Sequence, residues 1–513
     1  MLLGLAVLAA LWLVGRASNP GPIGLRLDDA WIHLVYGRGL LENGFPAYNP
    51  GEPATGCTSW AWAVCLAALH AGFGHGDLDR LLASVFALGV ALHGFVILAS
   101  AALAYRVTSS RVGALAAGAA VALATPFALA AFSGMEVTLT ALLLVLVTHA
   151  AISGRWRLAG WLGAGALLAR PEAGSVLVAL AVLGTWRTLR GAGARRAAGD
   201  LARLLVPACA VVAGIVAYDL WASGRPLPAT FYAKSSGGLF SLPTRAWSAL
   251  AELLSQVPPF AGGLGWLGLL GYVTRPRCAD ALSFAPLAGG VAYTAANLIV
   301  VDPVDPAAFY HLRYVLPAVP LLLVGLVRGA LLLAEALPRR ARWAPLALVA
   351  SCAVVGAALT LAAESRHFHN DVRNINEVQR RIGTWLEQAT PEGAWIAASD
   401  AGAIRYCSNR PTVDVIGLNT PEMLQVDDAY LREHPVAAVA LIPAWFRARD
   451  AESLAVAFRA ESPNYTVTSN PRMGTQVVLV PARAATGERV RARFSGFHTF
   501  EIEIDGGMVS AGP

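Results

Sequence analysis

From the N-terminus to about Ala363, windows of about 17 to 25 residues with little or no charge follow one another, each long enough to cross roughly 30 Å of hydrocarbon. In lipid, only helices and closed barrels satisfy every backbone N–H and C=O, and uninterrupted apolar runs of this length are helical. The chain therefore reads as a polytopic α-helical membrane protein. Composition agrees, since 56% of the 513 residues are hydrophobic and only 14% charged, with a mean hydropathy of +0.54, well beyond the range of a soluble domain. The net charge of +6 does not point to nucleic acid. Its arginines sit in short clusters between apolar windows, which orients a membrane protein and does not build a stripe for tracking phosphates.

Those clusters are Arg106 and Arg111; Arg155 and Arg157; Arg187, Arg190, Arg195, Arg196 and Arg203; Arg275 and Arg277; and Arg339, Arg340 and Arg342. The positive-inside rule makes them cytoplasmic and predicts about eleven crossings, with the N-terminus inside and the C-terminus outside. The spans fall near 2–18, 81–105, 112–131, 137–153, 158–169, 173–186, 204–222, 258–274, 281–301, 315–335 and 343–363. Leu2 to Val14 lacks a basic leader and a small-residue cleavage site, so it reads as a retained first span. The stretch Ser59–Phe73, with Trp60 and Trp62, is expected to lie in the interface. Trp156 to Arg187 is expected to form a hairpin of two short helices with Arg170-Pro171-Glu172 at its apex. A transmembrane module thus covers 1–363, its first outer loop 20–80, and an extracytoplasmic α/β domain covers 364–513.

In that domain, Asp371–Gln388 carries Ile375, Val378, Ile382, Trp385 and Leu386 at helical spacing. Strands are expected at Trp395–Ala398, Thr412–Ile416, Val436–Ile442 and Thr475–Val480, and an edge hairpin where Phe500, Ile502 and Ile504 alternate with polar residues. The six cysteines are scattered without a CxxC pair, and His70, His93 and His149 lie in or near apolar windows without ligand spacing. Neither a metal site nor a disulfide framework is expected.

Five polar clusters fall at the outer ends of the spans. They are Asp28-Asp29 after the first span; Tyr48-Asn49-Pro50-Gly51-Glu52 with Thr58-Ser59-Trp60 in the same loop; Ser133-Gly134-Met135-Glu136; Arg170-Pro171-Glu172; and Pro228-Ala229-Thr230 through Lys234, the only lysine in the chain. Adjacent carboxylates repel, so one holds its proton or pairs with a cation while the other is available as a base. Alone, such a pair also marks an ordinary solvated helix end. Arg170, Lys234 and Arg313 are cations suited to a phosphate, Arg170 through its planar donor fork with Glu172 orienting it. No Gly-rich phosphate loop and no nucleophile elbow is present.

In order and placement these motifs resemble the GT-C class of membrane glycosyltransferases, and in particular the mycobacterial terminal β-(1→2)-arabinofuranosyltransferase family of cell-wall biogenesis. The resemblance covers Leu27 to Lys234 well and the C-terminal domain loosely; Ala173 stands where that family's pattern has Gly. It implies a transferase in the bacterial cytoplasmic membrane. Such an enzyme moves a sugar from a polyprenyl-phosphate donor to a cell-envelope glycan or glycolipid acceptor on the periplasmic face, among membrane lipid. Asp28 or Asp29 would be the catalytic carboxylate and Glu136 the second acidic element. Arg170, Glu172, Lys234, Arg313, Tyr48, Asn49 and Thr58 would contact the donor phosphate or substrate. Some members of the class use a divalent metal; with one carboxylate in Ser133–Glu136, no tightly held ion or other cofactor is expected here. A transporter or flippase, with polar residues near the bilayer midplane, and a non-catalytic scaffold are the alternatives.

Overall fold

The computed structural model describes the chain apart from residues 75, 235–241, 262, 275–280, 301–311, 425–427, 450, 469, 483–488, 497, 506–507 and 510–513. Its helices, in chain order, are α1 (Leu2–Ser18), α2 (Asp28–Asn43), α3 (Trp60–Phe73), α4 (Leu78–Thr108), α5 (Arg111–Leu123), α6 (Thr125–Leu129), α7 (Val137–Ile152), α8 (Trp156–Ala169), α9 (Gly174–Gly191) and α10 (Ala194–Ser223). There follow α11 (Ala229–Lys234), α12 (Leu242–Gln256), α13 (Pro258–Ala261), α14 (Leu264–Thr274), α15 (Ala285–Val300), α16 (Val319–Ala336), α17 (Ala344–Ile375), α18 (Arg381–Ala389), α19 (Ala403–Ser408) and α20 (Asp428–Glu433). The chain divides into two compact units. One comprises Met1–Ser18, Phe86–Ile215 and Ser236–Arg366, the other Asn19–Val85, Val216–Ser235 and His367–Pro513.

The first unit is helical. Among the described residues, five helices of the chain are long and apolar enough to cross a membrane, and a sixth span is counted if α5 and the following turn of helix are taken together. That pair, expected as one straight span over 112–131, bends by 65°. The cause is Pro126, which has no N–H to donate to the Ala122 carbonyl and whose ring would crowd that carbonyl, so the helix breaks just before it, with Ala124 at ψ 80°. The hairpin over Trp156–Arg187 forms as α8, a 3₁₀ turn at Pro171–Ala173, and α9. Elsewhere α14 and α16 cross at Gly268, Gly271 and Gly329, where an added Cβ would strike the facing backbone. Small residues allow this close approach where lipid supplies no hydrophobic drive between helices.

The second unit gathers the first outer loop, expected within the 1–363 module, with the C-terminal residues. Ser59–Phe73 forms α3 here, packed on α2. The eight strands are β1 (Trp395–Ala398), β2 (Thr412–Asp414), β3 (Val436–Leu441), β4 (Phe446–Ala448), β5 (Leu454–Glu461), β6 (Thr475–Pro481), β7 (Arg489–Gly496) and β8 (Thr499–Asp505). They form one sheet with the path β2-β1-β3-β8-β7-β4, from which β6 branches to pair with β3 and β5. Strand β1 lies parallel to β2 and β3. Strand β3 forks, meeting β8 at Val436 and antiparallel β6 from Val439 to Leu441. All six of its residues are buried, which is why it reads as a continuous apolar run without alternation. The hairpin expected at the edge, β7–β8, instead enters the sheet interior beside β3.

The expected helix at Asp371–Gln388 does not begin there. Helix α17 runs to Ile375, five residues of π-helix follow (Asn376–Arg380), and α18 continues to Ala389. Its apolar face is as expected: Val378, Ile382 and Leu386 are fully buried against Ile396, Ala398, Ala438 and Val478, and Trp385 stacks on Phe458 at 5.2 Å. The opposite side of the sheet buries Val413, Val439, Phe494, Phe500 and Ile502.

Candidate active site

Two polar clusters hold most of the residues singled out in the sequence, one in each unit. In the second unit, α2 starts at Asp28 with no residue before it to cap its first turn; Leu27 is extended and apolar. Two acids in the first turn complement the helix dipole. The carboxylate of Asp28 does more, since Oδ2 accepts the Gly402 N–H and Oδ1 the Ala403 N–H, each at 2.7 Å. It thereby satisfies donors at the start of α19 that the helix itself leaves open. Gly402 is required for this approach, because a Cβ there would meet the Asp28 main-chain and side-chain oxygens. Burial, then the nearby Asp400 carboxylate, push the Asp28 carboxyl well above the usual carboxylate range, against the pull of the two N–H groups, with Asp29 adding to the rise.

Asp400 is itself held by two amides, accepting from Gln379 at 2.6 Å and from Gln476. Burial raises its carboxyl to about 6, against the two amide hydrogen bonds and with Asp29 adding to the rise. Asp414, on β2, accepts the Ile416 and Asn419 N–H groups and the Asn419 amide, yet burial takes it to about 6 as well. Asp29 is partly exposed. Sequence reading missed Asp400, Gly402, Gln379 and Gln476. The one local signal was the polar run Ser399-Asp400-Ala401-Gly402 directly after a strand.

Tyr48 and Asn49 serve the architecture of this unit. The Tyr48 hydroxyl donates to the Ala401 carbonyl at 2.6 Å. The Asn49 amide donates to the Thr412 carbonyl at 3.1 Å and accepts the Thr412 N–H at 2.8 Å, joining the segment before α3 to β2 as a strand would. Both are nearly fully buried. The Arg405 Nε donates to the Tyr48 carbonyl, the Tyr36 hydroxyl to Asn419 Oδ1, and Arg26 pairs with Asp371 at 2.7 Å. Thr58 is partly exposed before α3. Lys234 ends the short helix α11, and its side chain lies outside the described residues.

The first unit brings together Glu136, Arg170, Glu172, Arg313 and Tyr314. A turn delivers Glu136: the Ser133 hydroxyl donates to the Ala130 carbonyl and accepts the Met135 N–H, while Gly134 takes φ +73°. Only glycine occupies that region without strain. Pro171 holds Arg170 extended, at φ −156° and ψ 129°, and ends α8 there. The guanidinium Nη1 donates to Glu136 at 2.9 Å, while Nε and Nη2 donate to the two oxygens of Glu172 at 3.2 and 3.3 Å. Side-chain exposures of 9% for Arg170 and 3% for Glu136 make this a buried triad. The Tyr314 ring lies under both cations, 5.2 Å from Arg170 and 4.7 Å from Arg313, and Arg313 donates to the Tyr314 hydroxyl at 2.7 Å. Three of the five Arg170 donors are thus already used. Glu172, expected to orient Arg170, does so, and Glu136 shares that work. Residues Tyr310 and His311, beside Arg313 in the sequence, lie outside the described residues.

The described acids do not form a metal donor set. Both Asp28 oxygens are committed to N–H groups, and no group of three or more His, Cys, Asp or Glu side chains is arranged for an ion among the described residues.

Residues 370–500 match a family described as a domain of unknown function (DUF8728). No curated protein sequence matches the chain. Among solved structures, ArnT from Cupriavidus metallidurans bound to undecaprenyl phosphate is similar with a TM-score of 0.55 at 16% identity, over 93% of this chain and 97% of that one. Its apo state aligns equally well at 15% identity. The apo oligosaccharyltransferase of Archaeoglobus fulgidus aligns with a TM-score of 0.53 at 12% identity, over 85% of this chain and 69% of that one. The fold is that of the GT-C membrane glycosyltransferases, a polytopic helical module with a C-terminal domain built on strands.

Proposed function

We propose that this chain transfers a sugar from a polyprenyl-phosphate donor to a glycan or glycolipid acceptor at the outer face of the bacterial cytoplasmic membrane. The observation that carries the reading is the Asp28-Asp29 pair at the start of α2, anchored through Asp28. Both Asp28 oxygens accept N–H groups, from Gly402 and Ala403, and Asp29, the next residue on α2, is assigned the part of general base. The fold supports this reading, being shared with an enzyme crystallised with undecaprenyl phosphate.

In the reaction, Asp29 removes the proton of an acceptor hydroxyl. The oxygen attacks the anomeric carbon, the bond from that carbon to the phosphate oxygen breaks, and the lipid phosphate leaves with the electron pair. A positioned base contributes on the order of a hundred- to ten-thousand-fold. Charge developing on the leaving phosphate calls for preorganised cations; Arg170, fixed by its two carboxylates, and Arg313 are the residues proposed for it. Lys234 and Thr58 keep a proposed place near the substrate. The sugar is proposed to be a pentofuranose such as arabinofuranose, and no tightly held divalent ion is required.

The test is to incubate purified protein with polyprenyl-phosphate sugars, a pentofuranosyl and a hexosyl donor in parallel, and membrane glycan acceptors, following release of polyprenyl phosphate and labelling of the glycan. Transfer that survives chelation supports the proposal. Labelled donor carried across vesicle membranes without any transfer would identify a transporter instead.

A further inference from the structure

We propose a second ligand site in the first unit, a pocket for the headgroup of an anionic phospholipid, formed by the starts of α8 and α10. An open cavity of about 550 Å³ is lined there by Arg155, Arg157, Arg196 and Arg203, with Trp156, Trp161, Leu158 and a single acid, Asp200. Four guanidinium groups against one carboxylate leave an excess of positive charge, and every one of these arginines belongs to the clusters that the positive-inside rule places at the cytoplasmic surface.

The pocket is organised by its neighbours. Asp200, buried, pairs with Arg203 at 2.9 Å and with Arg196 at 3.8 Å, one turn to either side on α10, and so aligns both on one face. The side chains of these arginines remain 58% and 70% exposed, so the pairing positions them without using up their donors. Gly154, at φ +73°, turns the chain from α7 into α8, and the Arg155 N–H closes the end of α7 on the Ala150 carbonyl. Gly160 lets α8 lie against α10, since a Cβ there would strike the Arg203 carbonyl. The Trp156 ring is buried against Gly184 of α9, where a Cβ would collide with it. The arginine wall is therefore built on three fixed helices.

The apolar part of the lining selects a lipid over a soluble phosphate. Leu158 is 45% exposed and Trp161 62% exposed, and Trp161 lies one helical turn, ~6 Å, deeper than Arg157 along α8. A tryptophan at that depth marks the level where headgroup gives way to acyl chain, and Val206, 64% exposed on α10, continues the apolar surface. Inorganic phosphate has no use for such a wall; a glycerophospholipid matches both halves. Basic pockets between transmembrane helices on the cytoplasmic side are suited to such headgroups.

The experiment measures lipid retention by native mass spectrometry on the full-length protein in neutral detergent at low ionic strength, titrating phosphatidylglycerol, phosphatidylcholine and inorganic phosphate separately and in competition. Phosphatidylglycerol is expected to bind at least tenfold more tightly than phosphatidylcholine. Each arginine near an anionic headgroup contributes roughly fivefold. The triple variant Arg157→Ala/Arg196→Ala/Arg203→Ala should therefore weaken phosphatidylglycerol binding on the order of a hundredfold, while Arg187→Ala/Arg190→Ala, basic residues outside the cavity, changes it less than threefold. Because Arg196 and Arg203 pair with Asp200, Arg157→Ala alone is the variant that leaves that pairing intact, and it should lose about fivefold. Equal affinity for the two lipids, equal losses in the two sets of variants, or displacement of phosphatidylglycerol by millimolar phosphate would each overturn the proposal.

Discussion

Replacing Arg170 with methionine tests what the buried triad does. Methionine keeps the length and apolar stem of the side chain but removes three charge-assisted hydrogen bonds, one to Glu136 and two to Glu172. Glu172 is 18% exposed and Glu136 3% exposed, so both carboxylates lose charge-assisted donors where water has little access. Removing one partner of a buried pair costs about 3–5 kcal/mol, which for a unit of roughly 280 residues corresponds to a fall in Tm of roughly 5–9 °C. Adding Glu136→Gln removes one of the two carboxylates that Arg170 balances, so the double variant should recover part of the loss. Arg170→Lys restores charge but not the planar fork that spans two carboxylates, and should fall between the two. The assay is the thermal unfolding of purified protein in detergent, read by intrinsic tryptophan fluorescence. A single variant as stable as wild type, or a double variant less stable than Arg170→Met, would refute the reasoning that Arg170 holds the two carboxylates together.

Gly402→Ala puts a Cβ against Asp28 and should loosen the attachment of the outer loop to α19, seen as faster proteolysis within residues 19–30; unchanged proteolysis would mean that the contact does not hold the loop. Tyr48→Phe removes only the hydrogen bond to the Ala401 carbonyl and should cost about 1 kcal/mol in chemical denaturation, with transfer activity retained. Asp400 gives a pH dependence. Its folded-state value, about 6, lies above its ordinary 3.8, so its contribution to stability is complete below about pH 4 and lost as the pH rises through 6. Melting temperatures of wild type should therefore fall between about pH 4 and pH 7 and level off above that, and Asp400→Asn should flatten that slope; an unchanged slope would assign it to other groups, Asp414 first among them.

Much of the fold was legible because its physics is local. Hydrocarbon thickness sets the apolar windows, Pro171 sets the break at the hairpin apex, and the two-sided burial of β3 writes itself as an unbroken run, Val436–Leu441. What was not legible depends on contacts distant in the chain. Asp28 looks like any acid at a helix start until Gly402 and Ala403 arrive from nearly four hundred residues away. Asn49 reads as a substrate contact, and only the geometry shows it pairing with Thr412 as a substitute strand. The continuity of α17 into α18 was hidden because the apolar pattern changes from membrane-spanning to amphipathic, and the π-helical turn that bridges the two has no sequence signature of its own. The bend at Pro126 was in principle readable, since proline in an apolar window commonly breaks the helix. That Asp28 reaches the Gly402 and Ala403 N–H groups was a matter of coordinates.

The most direct measurement compares the turnover of Asp29→Asn with that of wild type, following polyprenyl phosphate release from a polyprenyl-phosphate sugar in the presence of acceptor, with donor affinity measured in parallel. Loss of the base should lower kcat by roughly a hundred- to ten-thousand-fold while donor binding stays within error. Transfer by Asp29→Asn at the wild-type rate would contradict the assignment of Asp29 as the base.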